Sequence, residues 1–403
     1  MKKNGKEFKS RFLSQNPSFN YLAEKDKFLF SFEEPKYKFN IIGAGLMGRE
    51  HLKITFLEGR AEIHGIFDTN KLCIEKTKGE FSIYAPQNDL AVYDSLKEAC
   101  NDPAVDALII CTPNYTHIEV VKEAVKSGKH ILLEKPMATT ISDAHEIAEI
   151  AKNYSAVFQM GLQYRYKAIC VEAIHEVLQR KSIGDIKTIN ILEQRIPFLD
   201  KVNQWNKFSK YSGGTLVEKC CHYFDLMNLF ARSKPKTVFA TGSMAVNFLD
   251  FEHEGEKSDI IDNAYVTVIY ENDIRANFTL CMFSPMLYEE IIICGDEGRL
   301  LASENEDFLP NPRPKSHLEI TCGELRPSKI STPCYPAYIE GSGHNGATYY
   351  EHVEFVDNIE GKETNTATAE EGFWAIVVGV AAEESIKSGN VVDIGELLKK
   401  FNL

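Results

Sequence analysis

The sequence has no surplus of basic residues and no long apolar run, and these two absences remove whole classes of protein. Its 45 Lys and Arg are outnumbered by 58 Asp and Glu, which gives a formal net charge of −13. Binding to nucleic acid or to an anionic membrane surface relies on excess cations, so neither partner is expected. No apolar run of about 18 residues occurs, and the first residues lack the apolar core of a signal peptide. We therefore expect a cytoplasmic protein.

The 10 cysteines include no Cys-x-x-Cys pair, the spacing typical of zinc and redox sites. Most lie inside apolar stretches, as Cys111 and Cys281 do, and this is typical of reduced, buried cysteine. Cys220, Cys221 and His222 are consecutive, but consecutive residues of a helix point in different directions. We expect no metal site.

The composition of the 403 residues, 44% hydrophobic and 26% charged, is ordinary for a globular protein that is long enough for two cores. Patterns along the chain divide it into three parts. Residues 1–37 are polar but rich in aromatic side chains, a poor fit to a solvated tail. We expect them to form an N-terminal arm that docks on its own domain or on a neighbouring subunit. Residues 38–160 and 161–403 are expected to form two domains of different architecture.

The first domain is organised around the apolar run Phe39–Ile42 and the Gly-x-Gly-x-x-Gly sequence that follows it. Gly43 would allow a sharp turn off a strand, Gly45 a close approach of the backbone to a pyrophosphate, and Gly48 tight packing of the next helix. The helix N-terminus would direct unpaired N–H groups at the phosphates. The residues expected to bind a dinucleotide here are Gly43, Gly45, Leu46, Met47 and Gly48.

A second strand-like run, Ile63–Phe67, ends in Asp68, which lies 20 residues after Gly48 (68 − 48). A carboxylate at this place accepts hydrogen bonds from the ribose diol of the adenosine. We therefore expect NAD as the cofactor, with NADP less favoured.

Strand-like and helix-like patterns continue to alternate through this domain, as a doubly wound parallel sheet requires. Val105–Cys111 and His130–Leu133 read as buried strands, and each ends in a turn, at Thr112–Asn114 and at Glu134–Pro136. Carboxyl ends of parallel strands are where such sheets bind ligands, so both turns should border the cofactor. The further cofactor contacts expected are Cys111, Thr112, Pro113, Asn114, His117, Glu134, Lys135 and Gln163.

Past Gln159 the alternation gives way to a run of strand-like segments, which indicates a second domain of the α+β class with an open, mostly antiparallel sheet. Ala168–Gln179 reads as an amphipathic helix, and residues 349–358 and 370–388 as closing helices, whereas 305–314 and 333–346 read as loops. The predicted strands are Ile186–Ile196, Thr237–Met244, Ala264–Tyr270, Arg275–Phe283, Glu290–Cys294 and His317–Thr321.

A glycine-opened stretch, Gly213–Asp225, reads as one helix that carries three titratable side chains at helical spacing. Glu218, His222 and Asp225 stand at i, i+4 and i+7, so all three can share one face. Histidine can take or return a proton near neutral pH, and a carboxylate can fix its tautomer. A salt-bridged histidine on a core-facing helix would give the same pattern, so the spacing alone leaves both interpretations open.

Four motifs taken together resemble the glucose–fructose oxidoreductase / inositol dehydrogenase / MocA family. They are the glycine turn at 43–48, Cys-Thr-Pro-Asn at 111–114 followed by His117, Ala124 followed by Gly-Lys-His at 128–130, and Glu-Lys-Pro at 134–136. The similarity spans roughly residues 39 to 390. It implies a Rossmann-type NAD-binding domain followed by a substrate-binding domain whose sheet often forms subunit interfaces, and hence a homodimer or homotetramer.

The resemblance also implies a catalytic set of one lysine, one acid and one histidine, which map onto Lys135, Glu218 and His222. Lys135 would hold the substrate hydroxyl and stabilise its developing negative charge, and His222 would take its proton. Position 218 departs from the family pattern, which usually has Asp there, and the extra methylene keeps the charge but alters its reach.

Substrate contacts are expected from the strand that ends at 190–195, which the family commonly turns toward its substrate. Glu193, Gln194 and Arg195 are the candidates there, although strand alternation puts Gln194 on the face opposite to its neighbours. Trp205 resembles a family position that precedes the glycine-opened helix, and its ring could stack on a sugar. The expected substrate contacts are Lys135, Gln194, Arg195, Trp205, His222 and His344.

These observations predict an NAD-dependent oxidoreductase that moves hydride between the nicotinamide and a secondary hydroxyl of a cyclic polyol, sugar or glycoside. One alternative is a glycosidase-like reaction, in which transient oxidation of a sugar acidifies a neighbouring C–H and permits elimination of the glycosidic bond. A second alternative is a regulator that binds NAD without chemistry. Retention of Lys135 and His222 speaks against the regulator, and Glu218 is the one feature in its favour.

Overall fold

The structure is a computed structural model that describes residues 2–3, 6–7, 34–306 and 315–403. Most of the predicted arm, 1–37, and most of the predicted loop at 305–314 lie outside the described residues. The first two strands, β1 (Lys2–Lys3) and β2 (Lys6–Glu7), pair with each other in antiparallel fashion. None of the described helices combines the length and hydropathy that a membrane span requires.

A six-stranded parallel sheet occupies the part of the chain up to Gly161, with strand order β5-β4-β3-β6-β7-β8. The order reverses between β3 and β6, and this is where doubly wound sheets open a crevice for a ligand. Its strands are β3 (Tyr37–Ile42), β4 (Ala61–Phe67), β5 (Ala91–Val92), β6 (Ala107–Ile110), β7 (His130–Glu134) and β8 (Phe158–Gly161). Its helices are α1 (Leu46–Glu58), α2 (Lys71–Tyr84), α3 (Leu96–Asn101), α4 (His117–Ala124) and α5 (Ile141–Lys152).

A nine-stranded sheet follows, in the order β18-β17-β16-β15-β9-β14-β13-β10-β19. Neighbouring strands are antiparallel except β9 and β14, which are parallel. The mostly antiparallel architecture expected for this region is therefore confirmed. Its strands are β9 (Ile186–Gln194), β10 (Pro235–Ser243), β13 (Asn263–Tyr270), β14 (Arg275–Cys281), β15 (Leu287–Gly295), β16 (Arg299–Glu306), β17 (Lys315–Thr321), β18 (Lys329–Ser331) and β19 (Val392–Asp393), and a separate hairpin is made by β11 (Glu252–His253) and β12 (Glu256–Lys257).

Helices pack on one face of this sheet. The longest, α12, begins at Ala369 with a capping box in which Thr368 and Glu371 satisfy each other's backbone N–H groups. Ser385 of α12 accepts a hydrogen bond from the backbone N–H of Ala240 in β10. The α-helices of this part of the chain, not all of which touch this sheet, are α6 (Ala168–Ile174), α7 (Ser209–Ser212), α8 (Thr215–Glu218), α9 (Cys221–Ala231), α10 (Ala337–Glu340), α11 (Ala347–Ile359), α12 (Ala369–Ser388) and α13 (Ile394–Lys399).

The C-terminal segment returns to the first sheet through α11. Phe355 of α11 is fully buried and packs against Phe39 of β3 with ring centroids 5.7 Å apart. Arg60, at the start of β4, donates to Asp357 of the same helix and to the carbonyl of Val353. Because α11 follows all but the last strand of the nine-stranded sheet in the chain and packs directly on the six-stranded parallel sheet, the two domains are held together. The site between them is therefore fixed from both sides.

Three expectations about secondary structure are wrong. The segment 333–346, expected to be a loop, contains the short helix α10 (Ala337–Glu340). The strand β16 is absent from the predicted set because its inward positions, Leu300, Ala302 and Glu304, end in a charged residue where alternation would require an apolar one. The single helix over Gly213–Asp225 is interrupted after Glu218 and resumes at Cys221. The interruption falls at a lysine whose buried ammonium group is held by partners outside the helix, as described below.

Candidate active site

The glycine turn lies at the end of β3, and its glycines meet different constraints. Gly43 has φ +99°, and a Cβ there would come within 2.6 Å of the Cys111 carbonyl carbon. A Cβ on Gly48 would lie 2.1 Å from the carbonyl oxygen of Gly43. These two glycines are therefore required by the fold. A Cβ on Gly45, in contrast, would meet nothing within 4 Å, so this glycine faces open space.

Helix α1 starts at this open space without a capping side chain. Gly45 is its N-cap residue and makes no side-chain cap hydrogen bond, and Leu46 in the first turn is 52% exposed. The first N–H groups of a helix have no intrahelical partner, and they carry the positive end of the helix dipole. An exposed, uncapped N-terminus next to a glycine that leaves room fits the pyrophosphate of a dinucleotide.

Asp68 stands at the end of β4 beside the same turn. Its Oδ2 accepts a hydrogen bond from the N–H of Ala44 at 2.7 Å, and its Oδ1 accepts one from the N–H of Asn70, also at 2.7 Å. Each carboxylate oxygen retains a further lone pair. Contact of Asp68 with the adenosine ribose stays a prediction, and the carboxylate already holds the glycine turn to the second strand.

His117 joins the two strand-end turns expected to border the cofactor. Its ring is fully buried, with Nδ1 2.9 Å from the carbonyl oxygen of Pro136 and Nε2 3.0 Å from that of Thr112. Burial lowers the pKa of His117, while the carbonyl groups beside its two nitrogens act in the opposite direction. The side chain is directed at the backbone of both turns. This geometry favours a positioning role for His117 over the direct cofactor contact expected from the sequence.

Two amide side chains near these turns are buried without partners. Asn114 follows β6, and neither hydrogen of its Nδ2 has an acceptor in the described part of the chain. Gln163 follows β8, is fully buried, and lacks a partner at both Oε1 and Nε2 within the same residues. Buried polar groups are normally hydrogen-bonded. Both amides were expected to touch the cofactor, and their unsatisfied atoms fit that expectation.

A buried cluster anchors the turn that carries Lys135. His51 of α1 donates from Nε2 to Oε1 of Glu134 at 2.9 Å, and its Nδ1 lies 2.7 Å from Nε2 of His352. The other oxygen of Glu134 accepts the backbone N–H of Lys135 at 2.9 Å. Both oxygens of Glu134 are thus committed to protein groups, and this geometry favours positioning of Lys135 over the direct cofactor contact expected of Glu134.

The same cluster includes Glu351, which bears on the expectation that there is no metal site. Single ligand atoms of His51, Glu134 and Glu351 lie within 4.8 Å of one another, an arrangement compatible with a cation. Burial, followed by the charges of Glu134 and Glu50, raises the pKa of Glu351 well above its ordinary value. Both carboxylate oxygens of Glu351 lack a hydrogen-bond partner among the described residues, so the contact of His51 with Glu134 satisfies only part of the cluster.

Lys135 and the interrupted helix meet at the carboxyl end of β7. The Nζ of Lys135 donates to the backbone carbonyl of Glu218 at 3.3 Å. Burial alone would lower the pKa of Lys135, but the negative charges of Glu218 and of its other neighbours together outweigh it and the pKa is raised. The ammonium group therefore stays charged through the neutral range, and it is close enough to act electrostatically on His222.

His222 is 1% exposed and stacks in parallel on Tyr164, with ring centroids 3.9 Å apart and planes 9° apart. Its Nδ1 has no hydrogen-bond partner in the described residues. Burial, followed by the positive charges of Lys135 and Lys219, holds the pKa of His222 well below its ordinary value. The imidazole is neutral at physiological pH and free to accept a proton.

Glu218 is ionised at every ordinary pH. Burial would raise its pKa, but the ammonium groups of Lys201 and Lys135 lower it to about 2. Lys201 donates to Oε1 at 2.9 Å, and Oε2 has no partner among the described residues. A carboxylate that does not protonate cannot relay a proton near pH 7, so its contribution is electrostatic.

Sequence reasoning missed a third charged pair at the site. The Nζ of Lys219 donates to the hydroxyl of Tyr164 at 2.6 Å and lies 3.1 Å from Oε1 of Glu193. Both Lys219 and Glu193 are almost fully buried. One sequence signal could have indicated this pair. In the alternating pattern of β9, Glu193 occupies an inward position, as Ile189 and Ile191 do earlier in the strand, so a buried partner charge was to be expected.

A cavity of about 190 Å³ lies on the second-domain side of His222. Arg195 and His344 line it together with Glu193 and Tyr164, whereas Lys135 and His222 are not among the residues of its wall. Contact of any of these side chains with a substrate stays a prediction. Gln194 does not, because β9 alternates and its side chain leaves the opposite face of the sheet. The expectation that Gln194 contacts the substrate therefore disagrees with the geometry.

Trp205 and Asp225 do not line the cavity. The indole of Trp205 is 8% exposed, and the ammonium group of Lys201 lies 4.5 Å from its centroid. Asp225 accepts from Arg165 at 2.6 and 2.5 Å, which makes it structural. A sugar could stack only on a part of the indole that Lys201 leaves uncovered.

A doubly wound parallel sheet with an open glycine turn beside its switch point defines a dinucleotide-binding protein. Residues 37–162 match the family described as "Oxidoreductase family, NAD-binding Rossmann fold", and residues 175–394 match its "C-terminal alpha/beta domain". The chain belongs to the GFO/IDH/MocA oxidoreductase family, and its cofactor is NAD. The family and the cofactor predicted from the sequence are both confirmed.

Similar proteins cover nearly the whole chain at low identity. An uncharacterized oxidoreductase of Bacillus subtilis, YrbE, is 24% identical over 357 residues, 88% of this chain and 95% of its own length. Myo-inositol 2-dehydrogenase of Thermotoga maritima is 22% identical over 364 residues, 90% of this chain and 99% of its own. A structure of levoglucosan dehydrogenase with NADH and levoglucosan has a TM-score of 0.72 at 17% identity, covering 89% of this chain and 99% of that one.

The open space at Gly45 gives a test of the cofactor site that does not depend on catalysis. Gly45→Ala should leave the melting temperature unchanged, because the new methyl group meets no atom, yet weaken NAD binding by about 10-fold or more because it occupies the path of the pyrophosphate. Gly79→Ala in α2, equally uncrowded, is the matched control and should bind NAD normally. Equal NAD affinity of both variants by calorimetry would place the pyrophosphate elsewhere.

Proposed function

We propose that this protein catalyses hydride transfer between NAD and a secondary hydroxyl of a cyclic polyol, sugar or glycoside. The observation that carries the proposal is the pairing of a charged Lys135 with a neutral, partly unpartnered His222 in one buried site. Names of the similar proteins, which include an inositol dehydrogenase and a levoglucosan dehydrogenase, support the substrate class.

Each residue has a defined task in this proposal. NAD, when bound, accepts or returns the hydride. Lys135 donates a hydrogen bond from Nζ to the substrate oxygen and stabilises the negative charge that develops there. His222 accepts the hydroxyl proton as the C–H bond breaks, since its imidazole is neutral and its Nδ1 is unpartnered. Glu218 remains ionised and compensates the charge of Lys135.

Stacking on Tyr164 fixes the plane of the His222 ring, so its nitrogens point in set directions. Tyr164 is itself held by Lys219, which donates to its hydroxyl. The base is thus oriented by an aromatic face rather than by a carboxylate on its own helix. Preorganisation of this kind removes motions of the ring that would otherwise lower the rate of proton transfer.

Removal of the base should lower turnover without affecting the cofactor. His222→Ala is expected to reduce kcat about 10² to 10⁴-fold, the usual value of general acid–base catalysis, while NAD affinity stays near that of the wild type. NADH formation is followed by absorbance against a panel of inositols, aldoses and glycosides. His317→Ala, at a half-exposed strand position, is the control, and full turnover by His222→Ala would exclude this residue from the mechanism.

The pH profile follows from the same environment. His222 accepts a proton only when neutral, and its pKa lies well below the ordinary 6.5. This ability is present at all pH values above the lowered pKa and is lost as pH falls through it. We expect kcat/KM for alcohol oxidation at saturating NAD to be flat through the neutral range and to decline only below pH 6.5. An acid limb centred above that value would contradict the assignment.

The assay also separates the two alternatives. Release of an aglycone from a glycoside without net NADH would favour the glycosidase-like reaction, because the cofactor would then be reduced and reoxidised in each turnover. NAD binding without turnover of any compound in the panel, and without glycoside cleavage, would favour the regulator. Steady accumulation of NADH supports the oxidoreductase.

We also propose that the exposed face of the nine-stranded sheet joins copies of the chain into a homodimer or homotetramer. Val238 and Ala240 of β10 are buried beneath the helices, whereas Phe239 and Tyr265 project from the opposite face and are 41% and 61% exposed. An exposed apolar patch of this kind marks an interaction surface.

Tyr265→Lys should shift the protein toward monomer in light scattering, because it places a charge on that face. Leu325→Lys, at an exposed loop position with 69% exposure, is the control and should leave the molar mass unchanged. A wild-type protein that is monomeric at micromolar concentration would contradict the proposed interface.

A further inference from the structure

The cavity beside His222 is lined by an unusual number of carboxylates, and this bears on the kind of substrate it admits. Its wall contains four of them and three permanent cations. The charged residues are Glu193, Glu289, Glu304, Glu306, Lys167, Lys219 and Arg195. What matters for a ligand is which of these charges are already compensated within the protein.

Lys167 is held by two of the carboxylates. Its Nζ donates to Glu289 and lies 3.1 Å from Oε1 of Glu304. The second oxygen of Glu289 accepts from the hydroxyl of Tyr223 at 2.6 Å, and Glu304 also accepts from Asn345 at 2.6 Å. This ammonium group is therefore enclosed by negative partners that are themselves fixed in place.

Lys219 and Arg195 share a third carboxylate. The Nζ of Lys219 lies 3.1 Å from Oε1 of Glu193, and Nη1 of Arg195 lies 3.6 Å from the same atom. The Nε of Arg195 donates to the carbonyl of Ile196. All three cations of the wall therefore have a carboxylate partner in the described part of the chain.

The atoms left without partners are acceptors. Oε2 of Glu193 is buried and has no hydrogen-bond partner among the described residues, and the same is true of Oε2 of Glu218 next to Lys135. A buried carboxylate oxygen requires a donor, since leaving it unsatisfied costs its full desolvation. A hydroxyl group supplies a donor, whereas a phosphate or carboxylate brings further acceptors and negative charge.

We propose that this site selects uncharged polyols and rejects analogues that carry a phosphate or a carboxylate, a proposal that rests on the function proposed above. One hydroxyl of the substrate donates a hydrogen bond to Oε2 of Glu193. An anion entering the cavity would have to take a cation away from its carboxylate and leave that carboxylate buried and unpaired. Rejection is thus built into the ion pairs of the wall, and Glu193 determines it.

The test compares matched neutral and anionic compounds. These are D-glucose with D-glucose 6-phosphate and D-glucuronate, and myo-inositol with myo-inositol 1-phosphate. Binding of each compound to the NADH-loaded protein is measured by calorimetry, and kcat/KM is measured in parallel. The binding data report the selectivity even if no compound is turned over. We expect anions to bind and react at least about 100-fold less well than their neutral partners.

Glu193→Gln keeps the size of the side chain and removes its charge. It should narrow the discrimination between neutral and anionic compounds by about 10-fold while NAD affinity is unchanged. A substitution of the buried Glu193 can impair folding, so Glu306→Gln, at a less buried position of the cavity wall, is a second variant. It should shift the selectivity between neutral and anionic compounds in the same direction. Glu290→Gln, whose side chain leaves the opposite face of the strand that carries Glu289, is the control and should keep the wild-type selectivity.

Anions that bind or react as well as the neutral compounds would overturn the proposal, and so would a complete failure of every neutral compound to bind. Neutral compounds that bind selectively without being oxidised would leave the selection standing and refute the proposed function instead. Unchanged selectivity in both folded variants, Glu193→Gln and Glu306→Gln, would remove the carboxylates as its cause.

Discussion

The site depends on carboxylates that compensate several buried positive charges, while the histidine that lies among those charges stays unprotonated. Lys135, Lys219 and Lys167 all act on His222, and together with burial they hold its pKa down. Isolated ammonium groups at such depth would be costly. Each is stabilised by carboxylates placed on other elements, so the cations stay charged while the imidazole stays neutral. A charged hydrogen-bond donor and a neutral imidazole then coexist in one buried space, the combination on which the proposed alcohol oxidation depends.

This constraint explains why the second domain contributes so many acidic side chains to one end of its sheet. Glu193 comes from β9, Glu289 from β15 and Glu304 from β16, and these strands are neighbours in the order β16-β15-β9. Adjacent strands align their inward side chains, so three glutamates form a row against Lys167 and Lys219. The sheet is thus both a packing surface and the counter-charge of the site.

The parts of the structure predictable from sequence are those with local signals. The glycine turn, the strand that ends at Asp68, and the turn that carries Lys135 are short motifs whose spacing follows from backbone geometry, and the resemblance to the family combined them. Gly45 and Gly48 differ in the structure as the motif implies, one facing open space and the other packed against Gly43.

The parts that were missed depend on contacts between distant residues. Lys219 interrupts the helix expected over Gly213–Asp225, and its partners, Tyr164 and Glu193, are 55 and 26 residues away in sequence (219 − 164 and 219 − 193). The strand β16 was not predicted because the buried charge of Glu304 imitates an exposed position at the end of its apolar alternation. In both cases a buried charged side chain, held by partners that are distant in the sequence, interrupts the local pattern from which secondary structure is predicted.

The glutamate at position 218 shows how the site tolerates a departure from the family pattern. Lys135 donates to the backbone carbonyl of this residue, a contact that does not depend on the length of its side chain. The carboxylate is longer by one methylene than the usual aspartate and pairs with Lys201, whose ammonium group also lies over Trp205. The residue therefore places the lysine through its backbone and fixes the segment before α7 through its side chain. Since Glu218 is ionised in this setting, the change from aspartate leaves the charge beside Lys135 intact and alters only which neighbouring segment that charge holds.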